Sequence, residues 1–360
     1  MQKIKINLEK NSYEIYLGQG LLGGIAKLLP EKYSTAKLAI ITDSNVAPLY
    51  LERLSEQFAD DPSRILKIVI SAGEASKNLI VAGEIYEQLA QAKFSRSDLI
   101  IALGGGVVGD LAGFIAATYM RGIKFIQIPT SLLAQVDSSI GGKVAVDIPS
   151  GKNLVGAFYQ PLAVYIDPQV LLTLEDRFYF DGLAEVIKYA CIKDAALFAK
   201  LEVCQGRTAI QAEIMEIILS CLKIKKHYVE LDEFDTGERM FLNFGHTIGH
   251  AVEKCFNFSK YTHGEAVAIG MVLITQASEE MGLTCKGTSE KLKKIITQYQ
   301  LPLNYQQEQL PTNVFQEKLL TAIAVDKKNL KQQLNLVLLK EVGQSFLHKI
   351  KSEQAELFLR

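Results

Sequence analysis

The sequence predicts a chain of two parts, an α/β domain built on a parallel sheet over residues 1–176 and a mostly α-helical domain over residues 177–360. Three observations predict it. Short apolar runs rich in β-branched residues alternate with helical stretches through the first half. A glycine-rich turn joins one of those strands to the helix that follows. Beyond about Asp176, 3.6-residue periodicity dominates and strand signals are few.

Taken in order, Ile4–Leu8 and Tyr13–Leu17 alternate like the arms of a hairpin. Leu38–Thr42, Ile65–Ile70, Leu99–Leu103 and Lys124–Ile128 are short apolar runs with β-branched residues and read as strands. Helical patterns near Val46–Phe58, Lys77–Lys93 and Val107–Tyr119 separate them, which is the rhythm of parallel βαβ units. After a joint near residues 168–180, Gly182–Cys191, Ile210–Leu231, Asn243–Phe256 and Glu265–Met281 read as helices.

The bulk numbers exclude several classes. A net charge of -1 over 360 residues leaves no basic field for nucleic acid, so no such partner is expected. The apolar stretch from Leu99 to Met120 contains Asp110 and five glycines, which makes it a buried strand, turn and helix rather than a membrane span. Five widely spaced cysteines without a C-x-x-C read as reduced thiols of a cytoplasmic protein. The N-terminal Met-Gln-Lys-Ile-Lys-Ile lacks the apolar run of a signal peptide.

The strand Leu99–Leu103 runs into Gly104-Gly105-Gly106-Val107-Val108-Gly109-Asp110, a G-x-G-x-x-G placed between strand and helix. Glycines there let the backbone approach a pyrophosphate, and the helix start offers free N–H groups. The acid that normally follows about twenty residues on is missing; that region holds Arg121, Gly122 and Lys124. Asp43 ends an earlier strand instead, so a dinucleotide site on a different topology is expected, with helix capping as Asp43's alternative role.

Farther on, Gly141-Gly142-Lys143 and Gly151-Lys152-Asn153 place amines on loops beside backbone N–H groups, which suits a phosphate. The P-loop spacing is absent. Gly182-Leu-Ala-Glu185-Val-Ile-Lys188 puts a carboxylate and an amine one helical turn apart, either as a plain ion pair or with Glu185 as a metal ligand.

The most informative stretch is Arg239-Met-Phe-Leu-Asn243-Phe-Gly-His246-Thr-Ile-Gly-His250-Ala-Val-Glu253, followed by His263-Gly-Glu265. Three of the five histidines lie within eighteen residues. On a continuous helix Asn243, His246 and His250 share one face, which reads as the wall of a site. Spacing alone leaves His246 and His250 both as metal ligands.

These segments, in this order, resemble the 3-dehydroquinate synthase family of sugar-phosphate cyclases from Asp43 to about Lys328. The resemblance implies a dehydroquinate synthase/glycerol dehydrogenase-like fold, a cytoplasmic homodimer, NAD as cofactor and one divalent ion, zinc or cobalt. By motif position the ion falls to Glu185, His246 and His263, and His250 becomes a residue facing substrate. The implied NAD contacts are Asp43, Asn45, Glu74, Lys77, Gly105, Gly106, Val107, Asp110, Thr130, Ser131, Lys143, Lys152, Thr173 and Leu174. The implied substrate contacts are Asp137, Lys143, Asn153, Lys188, Lys225, Arg239, Asn243 and His250. Arg121 would reach the phosphate of the neighbouring subunit, and Lys327 or Lys328 would make a further phosphate contact. The chain departs from the family's pattern at Ser131, Asp147, Phe178 and Ala190.

The implied reaction converts 3-deoxy-D-arabino-heptulosonate 7-phosphate to 3-dehydroquinate and phosphate by transient oxidation, phosphate elimination, re-reduction and aldol closure. The alternatives are another NAD- and metal-dependent cyclase acting on a sugar phosphate without a carboxylate, and an alcohol dehydrogenase of the glycerol dehydrogenase type.

Overall fold

The computed structural model describes residues 1–58, 60–305, 317–323 and 333–359. The chain divides into two compact units: Met1–Glu175 with Lys225–Phe234, and Asp176–Ile224 with Asp235–Arg360.

The first unit is built on a seven-stranded sheet in the order β1-β2-β9-β6-β5-β3-β4. Its strands are β1 (Gln2–Ile6), β2 (Tyr13–Leu17), β3 (Leu38–Asp43), β4 (Ile65–Ile70), β5 (Leu99–Gly104), β6 (Lys124–Pro129) and β9 (Ala163–Ile166). The β1–β2 pair is antiparallel and the rest are parallel. Helices α1 (Ala47–Ser55), α2 (Leu79–Gln91) and α3 (Gly106–Thr118) connect them.

Both faces of the sheet are covered. Leu38, Ile40, Leu99, Ile101 and Leu103 pack with Tyr50, Leu51 and Leu54 of α1. The alternate residues Ala39, Ile41, Ile100 and Ala102 pack with Ile85 and Leu89 of α2 and Leu111 and Ile115 of α3. Such strands lose the polar alternation of a half-exposed sheet, which is why they stand out in the sequence as unbroken apolar runs.

The chain steps from β3 outward to β4, then returns across β3 to β5. The carboxyl ends of β3 and β5 therefore flank a topological switch point, where open α/β sheets bind ligands. Two further strands, β7 (Lys143–Ile148) and β8 (Gly151–Phe158), form a separate antiparallel hairpin. The two amine-bearing segments read as loops thus lie on this hairpin: Lys143 begins β7, and Lys152 and Asn153 lie at the start of β8.

The second unit contains α4 (Asp176–Lys193), α5 (Ala195–Val203), most of α6 (Gly206–Leu231), α7 (His246–Cys255), α8 (His263–Glu280) and α9 (Thr288–Gln298). It also contains an antiparallel hairpin, β10 (Gln333–Glu341) and β11 (Gln344–Lys351), absent from the helical reading of this half. The last turns of α6 belong to the first unit.

Helices α7 and α8 meet at close range. Gly245 adopts φ +80°, and a Cβ on Gly270 would stand 2.0 Å from the Gly245 carbonyl oxygen. No helix of the described residues is long and apolar enough to cross a membrane.

Candidate active site

In the first unit the glycine turn occupies the end of β5. Gly105 precedes the first helical residue, Gly106, and no side chain among the described residues caps that helix start. Its first-turn N–H groups are thereby left for an external acceptor. A Cβ on Gly106 would come within 3.2 Å of Ser138 Oγ, and one on Gly105 within 3.4 Å of Ser131 Oγ. Thr130 N–H donates to the Gly104 carbonyl at 2.9 Å, which seats Thr130 and Ser131 beside the turn.

Asp43 ends β3, whose Thr42 pairs with Leu103 of β5, so sheet order brings Asp43 to the glycine turn. Its Oδ1 accepts from Asn45 N–H at 2.8 Å and Val46 N–H at 3.0 Å. These bonds hold the turn that precedes α1 rather than cap the helix, whose N-cap position is Val46 with no side-chain cap, and they fix the carboxylate's direction. Thr173 lies beside Tyr50, hydroxyl to hydroxyl at 2.5 Å, with Leu174 next in the chain.

Lys77 is the centre of a charged cluster. Its buried ammonium lies 2.8 Å from Glu74, 3.3 Å from Asp110 and 3.9 Å from Asp147, and Lys152 lies 3.6 Å from Glu74. Burial pushes the Asp110 carboxyl up to about 6 although Lys77 pulls it down. Burial opposes the charge on Lys77 too, but its three carboxylates hold it above the usual lysine range. Asp147 also has a geometric role. Its N–H donates to the Lys77 carbonyl at 2.7 Å, and its Oδ1 accepts from Asn153 N–H at 2.8 Å, with Asn153 at φ +56°. The start of β8, which carries Lys152 and Asn153, is thus fastened through Asp147 to the segment bearing Glu74 and Lys77.

Asp137 pairs with Lys225, which the last turns of α6 supply to this unit. Arg121 is exposed, at φ +64° between Met120 at φ +53° and Gly122 at φ +121°. Lys327 and Lys328 lie outside the described residues.

In the second unit Glu185, His246 and His263 converge, with one ligand atom from each all within 4.8 Å of one another. Nε2 of His246 and Nε2 of His263 each lie 3.6 Å from Glu185 Oε1. Glu185 is fully buried and ion-paired with Lys188 one turn along α4, yet neither of its oxygens takes a hydrogen bond of good geometry. A buried carboxylate so placed suits a cation between it and the two imidazoles.

The ring orientations agree. His246 Nδ1 lies 3.1 Å from the Phe244 carbonyl, which can only accept, so the proton sits on Nδ1 and the Nε2 lone pair faces Glu185. Burial, then the charge of Lys188, holds His246 well below its usual range, in the neutral form that binds metals. Burial also disfavours charge on His263, but Glu185 and Glu253 outweigh it and raise that ring well above its usual range.

Two features differ from the sequence reading. Asn243 does not share a helix with His246: it ends a separate 3-10 turn, Glu238–Asn243, and left-handed Gly245 restarts the chain as α7. A second carboxylate also serves the site. Glu253 Oε2 lies 3.5 Å from His263 Nδ1, and its spacing from His246 and His250 (i+7 and i+3) was the signal for it. His250, Glu253 and His263 form a second set that could hold a cation. His250 is exposed, with its ring centroid 5.4 Å from that of His246, and Arg239 is buried on the 3-10 turn.

Comparison with known proteins gives the same family along the whole chain. The model described as 3-dehydroquinate synthase N-terminal matches residues 67–181, and that described as 3-dehydroquinate synthase C-terminal matches residues 182–329. A curated 3-dehydroquinate synthase of Clostridium acetobutylicum is 51% identical, covering 100% of this chain and 99% of its own length. Among solved structures, 2-deoxy-scyllo-inosose synthase complexed with carbaglucose-6-phosphate, NAD+ and Co2+ is 23% identical with a TM-score of 0.87, covering 100% of this chain and 99% of that one. The 2-epi-5-epi-valiolone synthase of Streptomyces hygroscopicus subsp. jinggangensis, with NAD+ and Zn2+ bound, is 25% identical with a TM-score of 0.84, covering 98% and 97%. Matched in both halves by the family's own models and along its full length by a curated member, the chain belongs to the 3-dehydroquinate synthase family.

Proposed function

We propose that this chain is a 3-dehydroquinate synthase, converting 3-deoxy-D-arabino-heptulosonate 7-phosphate to 3-dehydroquinate and phosphate with NAD and one divalent ion, as a cytoplasmic homodimer. The observation that carries the reading is 51% identity over the full chain to a curated enzyme of that name. The donor set and the glycine turn fit the two cofactors.

Glu185, His246 and His263 would hold the ion, a set of two imidazoles and one carboxylate of the kind that catalytic metal sites use. Gly105, Gly106 and Val107 would hold the NAD pyrophosphate and Asp43 its adenosine ribose, where the carboxylate's charge would disfavour a 2′-phosphate. When bound, NAD supplies a reversible oxidation at C5 and the ion supplies positive charge that acidifies the C4 and C5 hydroxyls.

The chain's own residues do the rest. Lys225 and Arg239 take the carboxylate, and Asp137 fixes Lys225 through their ion pair. Lys143, Asn153, Asn243 and His250 donate to the phosphate, with Arg121 of a second copy. With C5 at the ketone level the neighbouring C–H is acidic, so phosphate leaves with only a weak base. Donors held around the leaving group stabilise its growing charge.

The test is incubation of the protein with the heptulosonate phosphate, NAD and Zn2+ or Co2+, following phosphate and NADH. Phosphate should appear in many turnovers per NAD with no net NADH. Stoichiometric NADH would mark an alcohol dehydrogenase. Phosphate release only from a sugar phosphate lacking the carboxylate would mark a different cyclase.

A further inference from the structure

Asp181 lies on α4 one helical turn before Glu185 and is buried, 8% exposed. Its Oδ1 accepts from the N–H groups of Gly264 at 2.6 Å and Glu265 at 3.3 Å. These are first-turn amides of α8, and the residue that opens α8 is His263. The helix start also has a local capping box, with Thr262 N–H donating to Glu265 Oε2 at 2.8 Å, so the bonds to Asp181, 83 positions away on the helix that also carries Glu185, are a tie added to it.

Helix starts are ordinarily capped by the residue just before them. Such a local cap says nothing about where the helix sits. The added tie to α4 also fixes the distance between the two helices. The packing leaves no slack: a Cβ on Gly264 would stand 2.0 Å from the Asp181 carbonyl oxygen.

We infer that Asp181 is a positioning residue that sets His263 against Glu185, so that Nε2 stays within reach of an ion shared with Oε1. The inference rests on the metal site proposed above. Asp181 does not touch the ion; it acts through the start of α8, as residues behind a ligand commonly do. Glu253 orients the ring of His263, whereas Asp181 fixes the backbone that carries it.

The test is Co2+ binding to the full-length protein stripped of metal with a chelator, read by calorimetry and by the visible d–d absorption. Asp181→Ala should weaken Co2+ about 10- to 100-fold and change the absorption, while the protein still unfolds cooperatively. Asp181→Asn keeps a carbonyl acceptor in the same place and should restore most of the affinity. Gly264→Ala leaves the Asp181 side chain intact but forces α8 away from α4, so it should also weaken binding. It decides the matter if Asp181→Ala does not fold. Wild-type affinity and absorption in Asp181→Ala, or in Gly264→Ala, would overturn the inference. So would equal losses in Asp181→Asn and Asp181→Ala, since charge rather than geometry would then be at work. A wild type that takes up no Co2+ would overturn the metal reading and this inference with it.

Discussion

The carboxylate of Glu253 stands 3.5 Å from Nδ1 of His263, while Nε2 of the same ring faces Glu185 at 3.6 Å. One imidazole therefore lies between two acids, one placed as a co-ligand and the other as the acceptor that fixes the ring. That division makes a prediction. Glu253→Gln should lower metal affinity about 10- to 100-fold, the usual effect of removing the group behind a ligating histidine. Glu185→Gln should abolish measurable binding. Metal titration of the two purified variants decides, and the reverse ranking would place the ion on His250, Glu253 and His263 instead.

A second prediction concerns pH. Asp110 titrates near 6 in the folded protein because burial outweighs the pull of Lys77, against about 4 for an aspartate in an unfolded chain. The folded state thus holds this proton more tightly. Its contribution to stability is fully present below the unfolded value and is lost as pH rises through about 6. Asp110→Asn removes that dependence. Between pH 5 and pH 7.5 its stability should improve relative to wild type by on the order of 1–3 kcal/mol, measured by urea unfolding. A relative stability that does not change with pH would mean Lys77 already keeps Asp110 ionised.

Much of each unit's cluster was visible in the sequence because it is local. Gly104–Asp110, Glu185/Lys188 and His246/His250 are neighbours in the chain, and period or spacing alone groups them. Sheet order is not local. Asp43 becomes a partner of the glycine turn only because β3 lies beside β5, a consequence of the switch in winding direction. The break between Asn243 and His246 depends on Gly245 entering the left-handed region, a tertiary choice made where α7 presses on Gly270. The β10–β11 hairpin did leave a trace, alternating Leu334, Leu336 and Leu338 before a Val342-Gly343 turn, but three adjacent apolar residues, Val337–Leu339, blurred its period. The spacing of Glu253 from His246 and His250 puts it on the site face of α7, but that it meets His263, and that Asp181 meets the start of α8, are contacts no spacing within α7 or α4 reveals.

A third prediction separates this enzyme from cyclases whose substrates lack a carboxylate. Arg239 is among the largest fully buried side chains. A hydrogen bond to a charged group is worth ~1.5–3 kcal/mol, so Arg239→Ala should lower kcat/KM for the heptulosonate phosphate roughly ten- to a hundredfold. For an analogue without the carboxylate the loss should be much smaller. Equal losses, together with a lowered Tm, would make Arg239 a structural cation and return the substrate assignment to family membership alone.

The last prediction tests the dimer through Arg121. Consecutive left-handed residues at Met120 and Arg121 are unfavourable outside glycine, and the turn is held by Arg96 Nε donating to the Met120 carbonyl at 2.8 Å. Strain maintained around an exposed arginine fits a side chain presented to another molecule. If each site takes its Arg121 from the second copy, Arg121→Ala and His246→Ala homodimers should both be nearly inactive, for different reasons. After the two are mixed, unfolded and refolded together, half of the dimers formed at random are mixed. In each of these the subunit with intact metal ligands receives an intact Arg121 from its neighbour, and the other site lacks both. Activity should therefore recover to roughly a quarter of wild type. Were Arg121 to serve its own subunit, each site of a mixed dimer would keep one defect, Arg121 missing from one and His246 from the other, and mixing would restore nothing.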